Sequence, residues 1–173
     1  AAAPKPKKTG WSRKNPFVAT MIENRVLSGA GSAKEIRHLS FDLAGSGMSY
    51  EAGDALGVMP VNAPALVEAL ATRLGGHYAT AVSGFDVPLG EMLVKRLEIM
   101  TPSRDLLRGV ADLLPDSELA HVLGDGDKEA LDNYLWGKDV LDLLNIDPDL
   151  ALDPAGVMGW MKPLQHRAYS ISS

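Results

Sequence analysis

The segment Gln165-His166-Arg167-Ala168-Tyr169-Ser170-Ile171-Ser172-Ser173 decides how the rest of the chain is read. Ala168, Ser170 and Ser172 alternate with Tyr169, Ile171 and Ser173, which predicts a short β-strand carrying an aromatic and a β-branched side chain on one face. Arg167 at its start offers a planar, permanently charged fork suited to phosphate. Tyr169 falls on the same side of the strand, and Ser170 places a hydroxyl on the other. A ligand with a phosphate and a flat ring matches this triplet. So does any edge strand with a surface arginine, and the surrounding sequence has to choose.

Working back from that strand, a long stretch has helical rather than strand periodicity. Asn62 reads as an N-cap, with Pro64 in the first turn and Leu66, Val67, Leu70 and Leu74 on one face before Gly75-Gly76. Pro88 opens a second candidate with Leu89, Met92, Leu93 and Leu97 on a face. Thr101-Pro102 opens a third, with Leu106, Leu107, Val110, Leu113 and Leu114 inward, ended by Pro115. Residues 125–144 carry Leu131, Tyr134, Leu135, Val140, Leu141 and Leu144 and break near Gly137. Asp153-Pro154 caps a last helix bearing Val157, Met158 and Met161. Trp136 and Trp160 read as packing residues, with Trp136-Gly137-Lys138 as a possible ligand edge.

Ahead of the helices lie three strand-like runs. Phe17 to Leu27 and Glu35 to Leu43 make an antiparallel pair joined by Ser28-Gly29-Ala30-Gly31-Ser32-Ala33. That loop is glycine-rich but lacks the Gly-Lys-Ser/Thr ending of a phosphate loop, and it joins strands rather than opening a helix, so it reads as a hairpin. Tyr50 to Pro60 supplies a turn and a third short strand. The order is strands, helical block, strand: an α+β chain holding an incomplete antiparallel β-barrel interrupted by an all-helical insertion.

Composition narrows the function. The first 14 residues hold Lys5, Lys7, Lys8, Arg13 and Lys14 and no acid, whereas the remainder carries a net charge of −10. The basic start reads as an interdomain tether kept extended by proline and charge, and the acidic body argues against nucleic-acid binding. No run of 18 apolar residues or charged-then-apolar leader suggests a membrane segment or secretory signal. The absence of cysteine removes disulfides and thiolate chemistry and points to the cytoplasm. His38, His77, His121 and His166 show no metal-ligand spacing, so no metal is expected. Asp125-Gly126-Asp127 lacks the rest of a calcium loop and reads as a helix cap.

Asn15-Pro16-Phe17, Asn24-Arg25, Tyr50-Glu51-Ala52-Gly53-Asp54-Ala55-Leu56-Gly57-Val58, Pro60-Val61-Asn62 and the terminal strand from Pro163 together resemble, in order and separation, the FAD-binding domain of NADPH-dependent diflavin reductases. Sulfite reductase flavoproteins and cytochrome P450 reductases belong to that family. The resemblance implies a barrel of the ferredoxin-reductase type, with residues 1–14 as basic interdomain linker, 15–62 and 164–173 as partial FAD-binding barrel, and 63–163 as helical connecting domain. It implies that Arg167 neutralises the FAD pyrophosphate, that Ala168 and Tyr169 line the flavin with the tyrosine ring stacked on it, and that Ser170 is the catalytic serine near flavin N5. Arg25 takes the position of an arginine on the NADP side, and Thr101 and Gly137-Lys138 lie near FAD-touching positions. FAD and NADPH are the implied cofactors, with FMN in a separate flavodoxin-like domain or chain. A haem or sirohaem acceptor protein, sulfite reductase foremost, is the implied partner. The family continues beyond these motifs on both sides, so the sequence reads as interrupted at both ends. The rival expectation is a non-catalytic acidic helical module that binds a basic partner.

Overall fold

The structure, a computed structural model, describes residues 10–172. The chain divides into two compact units, a strand unit of residues 1–59 and 166–173 and a helical unit of residues 60–165. It is a mixed α/β chain with small antiparallel sheets and seven helical segments among the described residues. No helix among them is long and apolar enough to cross a membrane.

The strand unit holds β1 (Thr20–Val26), β2 (Arg37–Asp42), β3 (Ala55–Val58) and β4 (Arg167–Ser170). They form two separate two-stranded antiparallel sheets, β1 with β2 and β3 with β4, and no closed barrel is present among the described residues. In the first sheet Met21 faces Phe41 and Glu23 faces Ser40, so Ile22 is the extra residue of a bulge. The glycine-rich segment is the expected hairpin loop: Ser32 Oγ accepts from Lys34 N at 3.2 Å, and Leu27 N donates to Ile36 O at 2.8 Å. In the second sheet Ala55, Leu56, Gly57 and Val58 face Ser170, Tyr169, Ala168 and Arg167. Of the expected linker 1–14, residues 1–9 lie outside the described residues, as does Ser173. Within the remainder, Trp11 Nε1 donates to Ser46 O at 2.9 Å and its ring packs edge-on against Phe17.

The helical unit contains α1 (Pro64–Arg73), α2 (Leu89–Glu91), α3 (Arg104–Leu113), α4 (Glu118–Gly124), α5 (Lys128–Leu135), α6 (Val140–Leu144) and α7 (Pro154–Trp160). Every buried hydrophobic side chain among the described residues lies here, with Leu70, Leu89, Leu93, Ile99, Leu106 and Leu143 fully enclosed. Removing each such leucine from water contributes roughly 1.5–3 kcal/mol, so the helical unit holds the hydrophobic core. Helix starts follow local chemistry: Ser103, Ser117, Asp127, Asp139 and Asp153 each accept from backbone N–H groups of the first turn. At the end of α1, Gly75 at φ 73° lets Gly75 N donate to Thr72 O and Gly76 N to Ala71 O.

Four readings from the sequence change. Asn62 does not cap α1; the cap position is Ala63, without a side-chain bond, and Asn62 is engaged elsewhere. The helix expected from Pro88 is one α turn, α2, running into a π-helical turn over Met92–Arg96. Leu113 is 44% exposed because the chain leaves the helix at Leu114 ahead of Pro115. Trp136 is 88% exposed, since it follows α5 with a non-helical backbone and escapes the core-facing stripe.

Arg73 ties the unit together across the sequence. Its Nε donates to Leu144 O at 2.9 Å, Nη2 to Asp147 O at 2.8 Å and Nη1 to Leu150 O at 3.1 Å, satisfying carbonyls at and beyond the end of α6. Arg73→Met retains the apolar stem and removes these donors. The expected loss is about 2–4 kcal/mol of stability, read as a lower denaturant midpoint at unchanged slope. An unaltered midpoint contradicts the assignment.

Candidate functional site

Every residue of β4 is exposed, Tyr169 to 55%. A large aromatic ring left half in water on a strand is surface that a ligand can cover. Tyr169 and Ser170 line a cleft of about 880 Å³ inside the strand unit. Its apolar lining includes Leu39, Phe41, Leu43, Met48 and Leu56, and its polar lining Tyr50, Asp54 and Ser172 as well as Ser170.

The turn that brings Tyr50 and Asp54 to this cleft is specified locally. Asp54 N donates to Glu51 O at 3.0 Å, the Asp54 carboxylate accepts from Glu51 N at 2.9 Å, and Gly53 stands at φ 96°. A β-turn with a positive φ at its third residue favours glycine there. The β3/β4 ladder continues past the strand ends, with Gly53 N donating to Ile171 O and Ile171 N to Asp54 O, both at 2.8 Å.

The remaining expected site residues are distributed unevenly. Arg167 faces Val58 and Ala168 faces Gly57 on the same ladder, although neither is among the residues lining the cleft. Arg25 lies on β1 opposite His38, and its Nε donates to Glu23 Oε1 at 2.9 Å. That bond, with weaker help from the Arg25 and His38 charges and Ser40, holds the Glu23 carboxyl below the usual carboxylate range against desolvation. His38 Nε2 meets Ser40 Oγ at 3.0 Å and Glu23 Oε2 at 3.5 Å. Thr101 belongs to the helical unit, where its N–H donates to Glu98 Oε1 at 3.3 Å. Lys138, also in that unit, lies over the Tyr134 ring at 4.1 Å from its centre and donates to Tyr134 O.

Sequence reasoning missed Tyr50, Asp54, Arg37 and His38 as cleft residues. Tyr50 and Asp54 stood in the sequence as a turn and as part of a motif the resemblance rests on, without a site role. For Arg37 and His38 the signal was the alternation of β2, which gives their faces but not what lies beyond them. Among the described residues no group of three or more His, Asp or Glu side chains gathers as a metal site requires.

Comparison with known proteins gives a consistent picture. A family model described as FAD binding domain matches residues 10–173. The chain is 37% identical to the sulfite reductase [NADPH] flavoprotein alpha-component of Bacillus subtilis (strain 168), over 100% of this chain and 29% of that protein. It is 34% identical to the protein of the same description from Aliivibrio fischeri, and 34% to that from Escherichia coli (strain K12), each over 94% of this chain and 27% of the relative. The chain thus spans less than a third of the length of the curated relatives it matches.

Proposed function

This chain belongs to the family of FAD-binding domains, and from that premise we propose that it is the FAD-holding part of an NADPH-dependent diflavin reductase. The parent protein passes electrons from NADPH through FAD to FMN and on to a haem or sirohaem acceptor, sulfite reductase foremost. The FMN lies in a flavodoxin-like domain on the same or another chain, and the assembly works in the cytoplasm. Residues 15–62 and 164–173 form part of an antiparallel barrel of the ferredoxin-reductase type, residues 63–163 the helical connecting domain, and residues 1–14 the linker. The observation that carries this reading is the half-exposed Tyr169 lining an apolar cleft, on the strand that Arg167 opens. The rival module of acidic helices finds no support, since the family match covers the strands and the helices alike.

The residues present fit a flavin dinucleotide. An exposed ring beside aliphatic walls suits a flat heteroaromatic system, and a strand-borne guanidinium suits a pyrophosphate. FAD held here would supply the redox chemistry, hydride acceptance and single-electron release. Tyr169 covers one face of the ring and excludes water from it, Ala168 contributes backbone beside it, and Arg167 neutralises the phosphates. The Ser170 hydroxyl, which lines the cleft, would donate a hydrogen bond to the ring and help orient it. Arg25 serves the nicotinamide-nucleotide side, and Thr101 contributes a further contact to FAD.

Ser170→Ala tests the division of labour. In the natural polypeptide carrying this sequence, anaerobic bleaching of bound flavin by NADPH slows by at least about tenfold. FAD affinity changes by less than about threefold, the scale of one weak neutral hydrogen bond. An unchanged bleaching rate removes Ser170 from the catalytic role.

A further inference from the structure

The first and last residues of the helical unit are bonded to the same feature, the π-helical turn over Met92–Arg96. In an α-helix Leu97 N would donate to Leu93 O; here it donates to Met92 O at 3.0 Å, the longer ring of a π turn, and Leu93 O is released. Asn62 takes it: its Nδ2 donates to Leu93 O and to Leu97 O, each at 2.7 Å, and its backbone N donates to Val94 O at 2.9 Å. At the other end of the unit Leu164 N donates to Arg96 O at 2.8 Å, Pro163 pairs with Leu97, and Glu98 N donates to Lys162 O at 2.8 Å. The carbonyls of Leu93, Val94, Arg96 and Leu97 are therefore all satisfied by chain entering or leaving the helical unit. Asn62 is 7% exposed and Leu164 6%, so water does not replace these bonds freely.

We propose that Asn62 and this π turn form a positioning clamp that registers β4 on β3. β3 ends a few residues before Asn62, and β4 begins a few residues after Leu164. Without the clamp the two strands are the ends of a loop of roughly one hundred residues, and closing it carries the corresponding entropy cost. With both connections fixed to one turn they behave as a hairpin with short arms. The β3/β4 pair needs this help, because it is an isolated two-stranded sheet and no residue of β4 is buried. The clamp thereby sets which residues of β3 face Arg167 and Tyr169, and Asn62 acts on the cofactor through them; this last clause rests on the FAD reading above.

Hydrogen exchange of the natural polypeptide tests the clamp independently of the flavin. Two variants are needed. Asn62→Ala removes both side-chain bonds, and insertion of Gly-Ser-Gly between Gln165 and His166 loosens the exit while leaving the helical unit's sequence intact. In Asn62→Ala, exchange of the Ile171 amide and of the β4 amides accelerates by up to tens-fold, the order set by the loop-length difference, and in the insertion variant, which adds three residues to a short connection, by about twofold or less. In the insertion variant the amides of α3 keep their protection. FAD titrated into each variant binds more weakly in step with the rise in its β4 exchange. Unchanged β4 exchange in Asn62→Ala overturns the proposal, as does equal loss of protection in α3 and β4 in both variants. Faster β4 exchange with unchanged FAD affinity supports the clamp and counts against the FAD reading of β4.

Discussion

Arg167→Ala lowers FAD affinity by about 10- to 100-fold in the natural polypeptide, the worth of a hydrogen-bonded charge lost against phosphate. Arg167→Lys restores only part of it, because an ammonium keeps the charge and lacks the planar fork. Tyr169→Ala costs about tenfold or more through the lost ring contact and its apolar area, and Tyr169→Phe recovers nearly all of that. Salt separates the two positions: raising ionic strength weakens the wild type and Tyr169→Ala more steeply than Arg167→Ala. Calorimetric titration with FAD reads each value. Equal affinity in all four variants removes β4 from the site, whatever the family supplies elsewhere.

A stability effect on the scale of that at Arg73 is expected within the helical unit, at Gly90. A Cβ there would stand 2.1 Å from Tyr78 Cδ2, 2.3 Å from Cγ and 2.7 Å from Tyr78 Cα. The ring can rotate away, but the Cα cannot, and it is held because Gly90 N donates to Tyr78 O at 2.9 Å while Leu89 N donates to Thr80 O at 2.8 Å. Gly90→Ala therefore has to push backbone from backbone. A loss of about 1–3 kcal/mol is the usual scale of such overpacking, with Gly90→Val worse. Gly159 is the internal control: it lies in α7 with nothing within 4 Å of a built Cβ. There alanine removes unfolded-state freedom and is expected to stabilise by about 0.4–1 kcal/mol. Paired thermal melts give the comparison, and similar midpoints for the two alanine variants contradict it.

How much of this was readable beforehand depended on whether the decisive interaction was local. The caps at Asp127 and Asp153 and the break at Gly137 follow from residues within a turn of each other, and they stand as expected, whereas the third helix begins at Arg104 behind Ser103 and not at Thr101-Pro102. Asn62 has the residue type and position of a cap, yet its amide is drawn to carbonyls that a π turn releases some thirty residues later. Nothing near Asn62 records that turn. Helix α4 was not singled out because only Leu119 of its residues is buried, which leaves no stripe to detect. At the cleft, Tyr169 and Ser170 were singled out through the motif order that carries the resemblance, whereas Tyr50, Asp54 and His38 join them through tertiary folding. The two separate sheets show the same limit: pairing of β3 with β4 follows from neither strand alone.

The central claim is that the strand unit, through β4, holds one FAD. Flavin fluorescence during titration of FAD with the natural polypeptide tests it most directly. A tyrosine ring stacked on the flavin quenches its emission, so the account predicts a quench that ends at one FAD per chain and is largely relieved in Tyr169→Ala. Emission that stays constant to saturating protein, or a quench that is identical in Tyr169→Ala, contradicts it.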